Sequence, residues 1–233
     1  MARRGWLLLL AALVTTLGYR KLRRGSPPGI LGMLRRMPSA RLYDPWSRLF
    51  LGGLYDHLAR QVAASHQVGT VLDVGSGPGW LDIRLAQLAP DLSIVGVDID
   101  PEMVSRASAH ADLAGVDDRL RFRVADSRKL PFDDGEFDLV ISSFAAHHWE
   151  DASRGMGEIH RVLKPGGEAR IYDLPDWALR LHGTYGSLSR LGMESPFAGG
   201  IVFTVRWPDR LPSVQCLLAR KETERDGPDQ SEL

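Results

Sequence analysis

An α/β fold is predicted: a doubly wound, seven-stranded, mostly parallel sheet with an antiparallel C-terminal hairpin. Three observations predict it. Val71-Leu72-Asp73-Val74 has strand character and runs straight into Gly75-Ser76-Gly77-Pro78-Gly79, after which Trp80 to Leu88 carries helical spacing. Strand-like runs at 93–98, 121–125, 136–142 and 168–172 alternate with helix signals, the pattern of βαβ units. Two last runs, 201–206 and 214–220, flank Pro208-Asp209-Arg210 and read as the closing hairpin.

The first of these stretches organises the rest. A strand that ends in a Gly-rich turn and opens a helix is the nucleotide-binding corner of such sheets. Glycine permits positive φ and lets the backbone approach a ligand where a Cβ would collide. The helix that follows points free N–H groups at the same place. A plain tight turn is the alternative reading. A dinucleotide fingerprint, Gly-x-Gly-x-x-Gly, needs its third glycine at position 80. Trp80 stands there, which argues against a nicotinamide oxidoreductase.

The pattern Asp73-x-Gly75-x-Gly77-x-Gly79 instead resembles the first motif of the class I S-adenosylmethionine-dependent methyltransferases. Four later stretches continue the resemblance in the family's order, over roughly residues 68–220. Ser93 to Asp98 is a buried strand ending in an acid, where a carboxylate can accept both ribose hydroxyls of an adenosyl group; a turn residue is the alternative for Asp98. Asp100-Pro101 is a capped helix start. The resemblance implies that Ile99 contacts the adenine, that Asp126, followed by Ser127 at the end of strand 121–125, reads the adenine amino group, and that Asp73, Gly75, Ser76, Gly77, Gly79 and Ser143 complete the cofactor site. Leu130-Pro131-Phe132-Asp133-Asp134-Gly135 is a loop and turn of a kind common in small-molecule and lipid methyltransferases of this group.

Strand 136–142 delivers Ser143 and then His147 and His148, the only histidine pair in the chain. Imidazole titrates near neutrality, so either can take a substrate proton. In the alternative reading one histidine caps the next helix and the other packs beneath the cofactor. The helix at 151–163 ends in Lys164-Pro165-Gly166-Gly167, read as a stop and turn before strand 168–172. The run from Glu158 to Gly167 resembles the family's late motif, a scaffold element. Trp177, His182 and Tyr185, between the fifth strand and the hairpin, are acceptor-pocket candidates.

At 233 residues the chain suits one α/β domain with extras. Lys+Arg and Asp+Glu are equal at 29 each, so no global charge favours nucleic acid. The single cysteine, Cys216, reads as a buried strand thiol and excludes an intrachain disulfide. No His, Cys and carboxylate cluster has metal-ligand spacing.

Residues 6–19 carry no charge and are flanked by Arg3 and Arg4 before and Arg20, Lys21, Arg23 and Arg24 after. As a helix they span roughly 21 Å, short of the roughly 30 Å hydrocarbon core, a gap that aromatic ends and snorkelling cations narrow. A cleaved signal peptide is the rival; the basic flank and the need for a cytosolic cofactor favour an uncleaved anchor with the catalytic domain in the cytoplasm. Ser26 to Gly29 is a linker, and 30–37 mixes apolar and basic residues in the manner of a membrane-surface segment. Asp44-Pro45 reads as cap and first position of an amphipathic helix through Val62, with Tyr43, Trp46, Tyr55 and His57 as further pocket candidates.

Four segments are therefore expected: an anchor at 1–25, a linker and helical cap at 26–66, the methyltransferase domain at 67–221, and a charged, disordered tail at 222–233. The implied activity is transfer of a methyl group from S-adenosylmethionine to a small-molecule acceptor of lipid or quinone-like kind. A methyltransferase-like binding protein without catalysis is the rival. Decay of the cofactor loop would mark it, and Asp73, the three glycines, Asp98 and Asp126 are all present.

Overall fold

The computed structural model describes residues 40–173, 201–205 and 214–221. The anchor, the linker, residues 30–37, the candidates Trp177, His182 and Tyr185, the Pro208 turn and the tail lie outside them, as does the Trp46 side chain.

The described elements are α1 (Ala40–Ala63), β1 (Val68–Val74), α2 (Trp80–Leu88), β2 (Asp91–Asp98), α3 (Pro101–Ala114), β3 (Leu120–Val124), β4 (Phe137–Ser143), a 3₁₀ turn (Ala146–His148), α4 (Ala152–Val162), β5 (Leu163–Asp173), β6 (Ile201–Val205) and β7 (Val214–Arg220). They build a 7-stranded sheet of order β3-β2-β1-β4-β5-β7-β6. β1 to β5 run parallel, and β7 pairs antiparallel with both β5 and β6. Strand order reverses between β1 and β4, which opens a crevice at their C-terminal ends.

Alternation along the strands sorts side chains into two layers. Val71, Ile94, Leu139, Ile141 and Tyr172 pack with Leu58 and Val62 of α1 and Leu81 and Leu85 of α2. Leu72, Val74, Val97, Val140 and Ile171 pack on the other face with Met156, Ile159 and Val162 of α4. Helices on both faces of a parallel sheet explain why β1 and β4 read as nearly continuous apolar runs. Cys216 of β7 sits opposite Tyr172 of β5, fully buried.

Two expectations are corrected. α1 begins at Ala40 and contains Pro45 rather than starting there. Asp44 is not its cap: that buried carboxylate accepts from the Trp80 indole N–H and from Arg106 instead. Lys164 to Gly167 does not form a separate turn but lies within β5, where a register shift between Phe137 and Leu139 absorbs the extra residues. The Asp100 cap holds, and Asp151, read as the first residue of its helix, is that helix's cap. Asp100 accepts from the Glu102 N–H with Pro101 at the first helical position, and Asp151 accepts from the Arg154 N–H.

Candidate active site

The loop between β1 and α2 is stitched to the end of β2. The N–H groups of Gly75 and Ser76 both donate to the Val97 carbonyl, at 2.8 and 3.0 Å. Gly75 turns at φ 85 and Gly77 at φ 53, both left-handed. A Cβ built on Gly75 would stand 2.2 Å from the Ala145 Cβ, so glycine is required there for space as well as for φ. α2 starts from Gly79 with no side chain capping it, leaving its first-turn N–H groups directed towards the loop.

Asp98 closes the same corner. One carboxylate oxygen accepts from the Gly77 N–H and the other from the Asp100 N–H, each at 2.9 Å. Burial raises its pKa, and those two N–H donors work in the opposite direction. Each oxygen keeps a second lone pair for a ligand hydroxyl. Beside it, Ile99 is 67% exposed although apolar, which suits a residue awaiting a flat partner. Asp126 follows β3 where it was expected, but Arg128 grips its carboxylate through Nε and Nη2 and holds its pKa below the usual range. A base meeting Asp126 meets this ion pair, not an isolated acid. Ser127 follows it, half-buried, and Ser143 ends β4, buried.

Beneath the loop the polarity is unbalanced. Asp73 and Asp82 are fully buried, and neither of their carboxyl groups has a hydrogen-bond partner. The Ser76 hydroxyl is buried without a partner as well. Buried polar groups are normally satisfied, so orphaned acceptors beside a glycine cradle fit a polar, cationic ligand. S-adenosylmethionine meets that test: Asp73, Ser76 and the loop backbone suit its amino-acid end, and Asp98 its ribose.

Across the crevice, Phe144 follows β4 at φ 54, the one described non-glycine residue with positive φ. This bend sends the chain into the 3₁₀ turn, whose His147 meets the end of β5. Its Nδ1 lies 2.9 Å from one oxygen of Asp173 and 3.2 Å from the other, and its backbone N–H donates to the same carboxylate at 3.1 Å. Asp173 is fully buried. An Nδ1–H donated to that acid leaves the lone pair on Nε2, and Nε2 is buried with no partner. His148 is exposed and its ring lies 4.0 Å from that of His147. The two histidines therefore divide: His147 is oriented, His148 lies over it.

Asp173 and Asp82 are absent from the sequence-based candidates. Asp173 ends a parallel strand, as Asp98 does, and that position was the available signal. Asp82 stands between Leu81 and Ile83 on the buried face of α2, and an acid at a core position was its signal. The remaining candidates near α1 are less central: Tyr55 is buried and meets Phe144 edge-on, while His57 is half-buried. Trp80, where a dinucleotide site needs glycine, stacks on His110 at 4.1 Å.

Sheet order, glycine loop and acids at the strand ends define a class: a Rossmann-like methyltransferase. Comparison with known proteins agrees. A methyltransferase-domain family model matches residues 72–171. The demethylmenaquinone methyltransferase of Thermus thermophilus is 34% identical over 165 residues, 69% of this chain and 73% of that protein. A sterol 4-C-methyltransferase of Caenorhabditis elegans is 33% identical over 124 residues, 53% of this chain and 36% of that one. In three dimensions, a putative S-adenosylmethionine-dependent methyltransferase from Methanococcus maripaludis aligns with TM-score 0.63 at 23% identity, over 81% of this chain and 94% of that chain. The chain belongs to the class I S-adenosylmethionine-dependent methyltransferases and is an enzyme of that kind, acting with that cofactor.

Proposed function

We propose that this methyltransferase acts on a lipid-like small molecule bearing an acidic hydroxyl or carbon, with His147 as general base. The observation that carries the base is the buried Asp173–His147 pair with its unpartnered Nε2. The cofactor supplies a methyl group on a sulfonium, open to in-line displacement. With the cofactor bound, the acceptor would stand in line with that methyl group, and His147 Nε2 would take up the proton that the acceptor loses. Asp173 stabilises the imidazolium that forms, as a buried carboxylate does at an oriented histidine. Most of the rate comes from holding acceptor and methyl about 3–3.5 Å apart and aligned.

The lipid-like acceptor draws support from the quinone and sterol relatives. We also propose attachment at the cytoplasmic face of a membrane, on the strength of the uncharged 6–19 stretch and its cationic flanks. No helix among the described residues is long and apolar enough to cross a membrane, and the 6–19 stretch lies outside them. The test is a screen of membrane lipid extract with radiolabelled methyl donor, run on wild type and His147→Asn. A labelled lipid whose formation falls at least a hundredfold in the variant, with cofactor affinity unchanged, is the expected result. Label appearing only in protein or nucleic acid would overturn the acceptor class, and full activity of His147→Asn would overturn the base.

A further inference from the structure

Cofactor orientation by Asp73 leaves Asp82 unexplained. It projects from the first turn of α2 into the core and lies against Asp73. Each residue is wholly shielded from solvent, and none of the four carboxyl oxygens has a donor. Two adjacent carboxylates cannot both ionise in such a place without a cation. Groups on the surrounding elements do not supply one. Asp73 pairs with Gly96 of β2 and Ile141 of β4, both uncharged, and the next charge along β2 is another acid, Asp98. Arg84 of α2 turns to Asp56 of α1, and Arg106 and His110 of α3 turn to Asp44 and Glu102. Arg48 of α1 lies over the Trp80 ring.

We propose that Asp82 is a positioning residue that acts through Asp73: the pair shares one proton in the cofactor-free enzyme, and binding of the cationic cofactor releases it. In the free protein the proton forms an O–H···O bond between the carboxyls, which satisfies one donor and one acceptor. When the cofactor's ammonium reaches Asp73, the cation replaces the proton as the partner of the negative charge. Burial and the neighbouring acids push Asp73 well above the ordinary carboxylate range, and burial pushes Asp82 up to about 7. The titration belongs to the pair as a unit. Affinity therefore rises with pH for as long as the free pair holds the shared proton. The dependence is a tuning of cofactor capture that the glycine loop alone does not provide.

Calorimetry of S-adenosylmethionine binding to the full chain tests this without any acceptor, run at several pH values in buffers of different ionisation enthalpy. The wild type should release close to one proton between pH 7 and pH 8, and so bind roughly tenfold more tightly at pH 8 than at pH 7. Asp82→Asn, which removes the second acid and whose amide can donate to the Asp73 carboxylate, should release markedly fewer protons and show a shallower profile. A cofactor that binds wild type with no proton release overturns the proposal while leaving the methyltransferase assignment intact. So does an unchanged proton count in a folded Asp82→Asn. A second readout needs no ligand. The folded pair keeps a proton that unfolded carboxyls lose near pH 4, so cofactor-free stability is fully present below that pH and falls as pH rises towards 8. His66 and His160, whose pKa values burial lowers, act in the opposite direction and are common to both proteins. The wild-type-minus-variant difference should therefore decline with pH, and a constant difference counts against the shared proton.

Discussion

Replacing Gly75 by alanine tests the packing of the cofactor loop against the chain that carries His147. Two costs add at this position. At φ 85 a residue with a Cβ loses roughly 1–2 kcal/mol. The new carbon would also stand 2.2 Å from the Ala145 Cβ, whereas carbons rest about 3.5–4.0 Å apart. The backbone must move by roughly 1.5 Å, and such overpacking costs about 1–3 kcal/mol. Gly75→Ala should thus destabilise the cofactor-free enzyme by about 2–5 kcal/mol in urea unfolding. Ala145→Gly opens the space and removes the second cost but not the first. The double variant should recover about 1–3 kcal/mol relative to additivity. Gly75→Ala within 0.5 kcal/mol of wild type (roughly the scatter of surface substitutions), or additive behaviour in the double variant, would refute this account of the loop.

Other perturbations address single groups. Asp98→Ala removes a carboxylate expected to take two charge-assisted hydrogen bonds, so cofactor affinity should fall by roughly 10²–10⁴-fold by calorimetry. Asp173→Asn keeps the shape beside His147 but not the charge; turnover should drop about 10²–10⁴-fold, with cofactor affinity within twofold. Arg161 joins Glu158 to the carbonyls of Leu130 and Phe132, so Arg161→Met should cost about 1–3 kcal/mol in urea unfolding. That loss should shrink under acid. Arg161 holds the Glu158 pKa below its usual value, so the stability it lends is present above about pH 4.3 and fades as pH falls through the depressed value.

The sheet and the cofactor corner were legible because both depend on local pattern. Strand alternation, the glycine spacing and the Asp100-Pro101 cap are each written within a few residues. The His147–Asp173 contact is not: its partners lie 26 residues apart and meet only because β4 and β5 run parallel with Ser143 opposite Tyr172. Asp82 escaped for another reason, since helical periodicity assigns a polar residue to the outer face unless tertiary packing overrules it. Asp44 misled in the same way. Beside Pro45 it has the form of a local cap, yet it is drawn to Trp80 of α2 and Arg106 of α3, and the helix continues past it towards Ala40. Asp126 was foreseen by position, but its pairing with Arg128 depends on a side-chain reach that spacing does not specify.

Cys216 turns the sheet's far side into something an experimenter can watch. It is the chain's single cysteine, it is buried, and its thiol is pushed up to about 12 by that burial. A disulfide reagent at pH 8 therefore meets a group that is both inaccessible and about 10⁻⁴ ionised. Labelling becomes possible only when β7 detaches from β5 and the thiol regains water. The rate of a colour change then reports how often this edge opens in otherwise native enzyme, and its slowing on adding cofactor would measure how far tightening of the ligand crevice is felt three strands away.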